Sequence, residues 1–227
     1  SLIESLKHAF SNKHFRVVTL GQLLETTSMS FFQSCIMYYV TILLGLKETA
    51  SVLILATSIA GSLILYPLVN KLAKKYGKKP LMVSACIVFT IAEFVIFFGA
   101  DWAIPAMPKA LGLAIFVSYP FAVLNILPGS MMADIIQYDT IKNGVNREGV
   151  FGAARSFLTK IGTSLAIMIV PSITVIGATA GENIGRLGLK ITALVGGFIC
   201  LIAVFVFVFY KEKEVLSTIK ENAEKEN

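Results

Sequence analysis

Apolar residues dominate the chain in six long runs, separated by short connections where lysine, arginine, aspartate and glutamate collect. The runs lie at about Val17–Leu44, Ser51–Val69, Pro80–Ala100, Lys109–Ala133, Val150–Ile176 and Leu187–Tyr210. A helix crosses the hydrocarbon core in about 20 residues, so each run is long enough to span a bilayer. Strands are excluded, because open sheets leave backbone groups unpaired in lipid and these runs are too long for barrel strands. The first, fourth and fifth runs exceed a straight crossing and predict tilt or extension beyond the bilayer. The expected fold class is an all-α membrane protein with six transmembrane helices.

Composition agrees with that pattern. Hydrophobic residues make up 56 % of the 227 residues, charged residues 15 %, and the mean hydropathy is +0.76. A soluble domain of this size would need far more polar surface. The net charge of +6 does not predict a nucleic-acid partner, since the basic residues form short clusters between apolar runs and no single patch.

Their distribution predicts orientation. Lys7, Lys13 and Arg16, then Lys71, Lys74, Lys75, Lys78 and Lys79, then Lys142 and Arg147, and finally Lys211, Lys213, Lys220 and Lys225 fall on one side. Only Lys47, Lys109, Arg186 and Lys190 fall on the other, and Arg155 and Lys160 lie within a span. By the positive-inside rule both termini are cytoplasmic and the protein resides in the cell membrane. Cys35, Cys86 and Cys200 lie in apolar runs and read as free, small hydrophobes with no disulfide or metal role. The segment before the first run holds Glu4, Lys7, His8, Lys13 and His14 and is no signal peptide; the two histidines are most simply interfacial. The chain begins on Ser1 without methionine, which fits a start within a longer protein, although trimming gives the same result. Residues 211–227 mix lysine and glutamate and predict a solvated, partly helical cytoplasmic tail. Two three-span units of similar length fit an inverted repeat, yet the letters show no self-similarity.

Polar residues inside the spans carry the candidate chemistry, because ionisable groups in hydrocarbon are costly and face bundle interiors or water-filled cavities. At about 100° per residue, Gly152, Arg155, Ser156, Thr159, Lys160 and Thr163 of the fifth span share an arc of roughly 140°. Phe157, Leu158, Ile161 and Leu165 oppose them. Such a face suits the wall of an aqueous cavity where hydroxyls bind a polar substrate; Arg155 alternatively snorkels from the cytoplasmic end. On the first span Gln22, Thr26 and Gln33 share a face flanked by Glu25 and Ser30, with Tyr38 and Tyr39 at the outer interface. Glu25 is a substrate contact, a partner for Arg155 or a structural acid. Glu93 sits in the middle of the third span and is either a structural interhelical hydrogen-bond donor or a proton-coupling acid. Pro120 and Pro128 predict a kinked fourth helix that carries Asn125 toward the bundle, as a gating element or for simple close contact.

The stretch from Pro128 to Ala166, PGSMMADIIQYDTIKNGVNREGVFGAARSFLTKIGTSLA, resembles the signature of the glycoside–pentoside–hexuronide:cation symporters. This is the melibiose-permease-like branch of the major facilitator superfamily. The matching positions are Ala133-Asp134, Tyr138-Asp139, Lys142, Gly144, Arg147-Glu148-Gly149, Lys160 and Gly162. The resemblance implies that residues 1–227 form the C-terminal six-helix half of a transporter whose partner is its own N-terminal half. It implies that Lys160 lies between the sugar pocket and the coupling-cation site, and that Ser156 and Arg155 lie near the sugar. Arg155 replaces an amide of the melibiose permease, which suggests an anionic or differently shaped substrate. Asp134, Asp139, Arg147 and Glu148 match a cytoplasmic charged network that latches the two halves. The family's sodium or proton ligands lie mainly in the N-terminal half, and no other cofactor is implied.

The expected function is secondary active transport of a sugar or glycoside coupled to sodium or protons by alternating access. The expected substrate-site residues are Lys160, Arg155, Ser156, Thr159, Gln22, Glu25 and Asn125. A stand-alone six-span scaffold or a homodimeric half-transporter is the alternative. An enzyme is not expected, because no paired acids, metal cluster or activated serine stands out.

Overall fold

The computed structural model describes residues 7, 9–179, 181 and 183–226, so Ser1, Glu4 and His8 lie outside it. The described residues form α1 (Lys13–Tyr38), continued by a π-helical turn at Tyr39–Leu43, α2 (Glu48–Tyr76), α3 (Lys78–Gly99), α4 (Ala106–Asn143), α5 (Glu148–Thr174), α6 (Arg186–Val208) and α7 (Glu212–Glu226). Helices α1–α6 fall on the six apolar runs. Five of them, α2 to α6, are long and apolar enough to cross a membrane, so the chain is a multi-pass membrane protein. α1 has the length, at 26 residues, but carries His14, Arg16, Gln22 and Glu25 in its first half.

Local chemistry sets several ends. α1 starts where the Asn12 side chain accepts hydrogen bonds from the backbone of His14 and Phe15, at 3.0 and 3.2 Å. α4 continues past Ala133, where the apolar run ends, because Ile135 and Tyr138 stay buried along one side. It stops at Gly144, whose left-handed backbone (φ 68°) lets its N–H reach Thr140 O at 2.8 Å. Pro120 and Pro128 are both buried inside α4.

The core lies where α1, α3, α4 and α6 meet. Phe32 of α1 makes edge contacts with Phe89 of α3 and Phe121 of α4, at 5.6 and 5.9 Å between ring centres. α1 rests mainly on α5 and α6, α4 mainly on α2 and α3, and α3 lies along α6. Exchanging α1–α3 for α4–α6 maps this pattern onto itself. Because each unit holds an odd number of helices, the two units run in opposite senses, as inverted repeats do. α2 and α5 are the outermost helices, with wide apolar faces exposed at Ile59, Leu63 and Ile64, and at Phe157, Ile167 and Met168.

The tail differs from expectation. α7 docks against the end of α4, and Glu212 and Val215 are buried. The Glu212 carboxylate accepts the backbone N–H groups of Lys78 (2.6 Å) and Lys79 (3.0 Å), which begin α3. A charged acceptor there satisfies orphan donors and complements the helix dipole. We expect Glu212→Ala to cost about 0.5–2 kcal/mol, the range for loss of an N-cap. Faster hydrogen exchange along α7 and the first turn of α3 would report it; unchanged exchange would show that the cap contributes nothing.

Candidate functional site

α5 buries a stripe of small and apolar residues, Phe151, Ala154, Gly162, Ala166 and Val170, against its neighbours. That leaves the polar arc at its side. Arg155 is half-buried, and its Nε donates to Gln22 Oε1 of α1 at 2.7 Å. Gln22 and Glu25 lie about one turn apart on α1, both buried, and Glu25 is within electrostatic reach of Arg155. Gln22, and not Glu25, is therefore the hydrogen-bond partner of Arg155; one Glu25 oxygen, Oε2, is left without a partner. Thr159 donates to the carbonyls of Arg155 and Ser156 at 3.2 and 3.1 Å, and Thr163 to that of Thr159 at 3.2 Å. Each hydroxyl proton is used within the helix, while the oxygen lone pairs remain open to a donor from a ligand.

Ser156 and Lys160 are exposed beside this pair. Lys160 borders a shallow depression of about 390 Å³ with Phe157, Ile161, Ser164, Leu165 and Met168. The structure thus unites Arg155, Gln22 and Glu25, and leaves Lys160 on the open face of α5. Asn125 is exposed on α4 and donates to Phe121 O of its own helix at 2.7 Å. The two prolines of α4 are buried, whereas the amide lies on a face of α4 left open in this half.

The lysine-rich end carries the charged network. Asp139 accepts from Asn12 (3.1 Å) and Asn143 (3.0 Å) and pairs with Arg147 at 3.5 Å. Asp134 pairs with Lys78 at 2.6 Å, joining α4 to α3. Glu148 is exposed; Asn146 Oδ1 accepts its backbone N–H at 2.9 Å, and no ion pair of its carboxylate occurs among the described residues. Sequence reasoning missed Lys78, Asn12 and the tail acids. The Lys78 signal was present in the basic connection 70–80, but nothing in the letters indicates which lysine reaches Asp134.

Glu214 of α7 pairs with Lys13 at 3.2 Å and approaches His14 at 3.5 Å. His14 was expected at an interface, yet it is buried, edge-on to Tyr138 with ring centres 5.1 Å apart. Burial holds its imidazole below the usual histidine range, against the opposing pull of Glu214. Hydrogen bonding from Lys13 keeps Glu214 below the usual carboxylate range. The docked state therefore binds the His14 proton less readily than the unfolded chain does. Its stabilisation is complete above about pH 6.5 and is lost as pH falls through the depressed folded value. We expect α7 to lose hydrogen-exchange protection as pH falls below about 6.5, and His14→Gln to remove that dependence. The same loss in His14→Gln would assign it to another group.

With this geometry in place, comparison with known proteins defines the class. The fold aligns with a solved major facilitator superfamily protein, the proton:xylose symporter XylE bound to 6-bromo-6-deoxy-D-glucose. The TM-score is 0.65 at 14 % identity, covering 91 % of this chain and 49 % of that one. Residues 1–214 match the family model described as MFS/sugar transport protein, and the chain belongs to that family. This is a family of transporters and not of enzymes, and it accommodates the resemblance to the melibiose-permease-like branch. An uncharacterized symporter of Synechocystis sp. is 29 % identical over 171 residues, 74 % of this chain and 30 % of that protein. A glucuronide carrier protein homolog of Escherichia coli K12 is 25 % identical over 165 residues, 73 % of this chain and 35 % of that protein. The chain spans about a third of the length of these relatives.

Proposed function

We propose that this chain is the C-terminal six-span half of a transporter that moves a sugar or glycoside, driven by a sodium or proton gradient. α1 is the sixth span, and both termini face the cytoplasm of a cell-membrane protein. The observation that carries the reading is the Arg155–Gln22 pair, held at 2.7 Å beside the hydroxyl arc of α5, in a chain of this family. A half-buried guanidinium fixed by an amide presents its remaining N–H donors in a defined direction, which suits sugar hydroxyls or a carboxylate. Lys160 then faces the other half and relays charge between cation and substrate. Asp134, Asp139, Arg147 and Glu148 exchange partners between halves as access alternates, starting from the Lys78–Asp134 and Arg147–Asp139 pairs. The name of the glucuronide carrier homolog makes uronides the first substrates to try.

The test is uptake by the intact protein in proteoliposomes, over pentosides, hexosides and glucuronides, with a sodium or a proton gradient imposed. Saturable accumulation of at least one sugar with one gradient is expected. No accumulation above empty vesicles across the panel, with protein shown to be folded, would reject the reading.

A further inference from the structure

Glu93 is fully buried in α3, and neither of its carboxyl oxygens has a hydrogen-bond partner. Its Oε1 lies 3.2 Å from the position a side chain at Gly196 of α6 would take. No cation acts on it among the described residues. An ionised carboxylate in that setting costs far more than the fold can supply, so the group holds a proton.

Glu93 is not isolated from other polar groups. Toward the lysine-poor end lie Cys35 and Tyr39 of α1. The buried Tyr39 hydroxyl is also unpartnered, and its residue lines a cavity of about 420 Å³ at that end of the bundle. Toward the other end, Cys200 of α6 neighbours both Glu93 and Glu25. Thr90, about one turn before Glu93, has a buried hydroxyl without a partner. Ser28 of α1 donates to Gly196 O at 2.8 Å, and Glu25 follows with its unpartnered Oε2. This series of polar groups ends at Arg155 and Gln22. Among the described residues, the ionisable groups facing the two acids are Cys35, Tyr39, Cys86, Cys200 and Arg155, and the one cation among them, Arg155, acts on Glu25.

We propose that Glu93 is a proton-loading site within this half, joined through Thr90, Ser28 and Glu25 to the Arg155–Gln22 face and through Tyr39 to the opposite end. A proton arriving past Tyr39 converts the Glu93 carboxylate to the neutral acid. Its departure toward Glu25 regenerates the anion as water follows. An alternative in which Glu93 is only a neutral spacer predicts no proton movement. The proposal rests on the transporter reading above for its transport arm alone.

Two measurements on the intact protein test it. Infrared difference spectra of purified protein, after a pH step, should show a protonated-carboxyl band that disappears in Glu93→Gln. In proteoliposomes, the glucuronide or glycoside best transported by the wild type should accumulate about tenfold less in Glu93→Gln under a pH gradient, while its gradient-free exchange persists. Glu93→Asp should restore part of the accumulation. An unchanged carboxyl band, or full pH-driven accumulation by Glu93→Gln, would overturn the proposal. Should the wild type move no sugar at all, the transport reading fails, and the infrared arm still decides the proton site.

Discussion

Gly162→Val is expected to lower the thermal midpoint of the purified intact protein, at a cost of about 1–3 kcal/mol. α5 is held by α1 and, less extensively, by α6, and Gly162 lies directly against α1. A Cβ there would sit 2.5 Å from Thr27 Oγ1, 2.9 Å from Leu23 Cδ1 and 3.0 Å from Leu23 O. The first two atoms belong to side chains that can shift. The third is backbone and moves only with α1. Gly162→Ala should therefore destabilise less than valine, and Thr27→Ala should recover part of that loss but not all. A displaced α5 also carries Arg155 away from Gln22, so uptake should fall together with stability. A wild-type melting curve for Gly162→Val would mean that α5 is not seated as described.

The second large effect is expected at Lys160. Its ammonium is exposed on α5 with apolar neighbours, and no acid pairs with it among the described residues. A membrane-embedded cation in that position needs a partner from outside this half or from the transported species. Lys160→Ala in the intact protein should reduce gradient-driven uptake by about two orders of magnitude, the loss of roughly 2.7 kcal/mol of coupling. Stability should change little, because the exposed side chain makes no hydrogen bond or ion pair among the described residues. Lys160→Arg keeps the charge but spreads it over a planar group, and should retain partial uptake. Wild-type uptake by Lys160→Ala would remove Lys160 from the mechanism.

These two residues also show where sequence reading succeeds and where it stops. The lipid-facing requirement writes itself into the letters, so six apolar runs located six helices to within a few residues at most ends. The helical period placed Arg155, Ser156, Thr159 and Lys160 on one side of α5. It offered Glu25 and not Gln22 as a partner for Arg155, since which of the two reaches it depends on how α1 is rotated against α5. The place of Asn125 was open for the same reason: two prolines announce a disturbed helix but not which side of it turns inward. α4 outran its apolar stretch because only one side of its last turns needs to be apolar. The docking of α7 was invisible, because Glu212 and Glu214 find donors that are distant in sequence. Glu93 was legible as an anomaly, and its setting between Cys200 and Tyr39 was not.

The mirrored contact pattern of α1–α3 and α4–α6 has a consequence for how the chain evolved. Equivalent connections of the two units lie at opposite ends of the bundle. The end of α2 and the start of α3 carry Lys71, Lys74, Lys75, Lys78 and Lys79, whereas the matching stretch 169–187, from the end of α5 to the start of α6, carries Arg186 alone. A single charge rule acting on a protein of fixed sidedness demands lysines from one copy and forbids them in the other. Descent from a common triplet would thus be erased first in the loops, where relatedness is ordinarily easiest to see. What survives is the geometry of which helix lies against which, a likeness preserved in shape after it has left the alphabet.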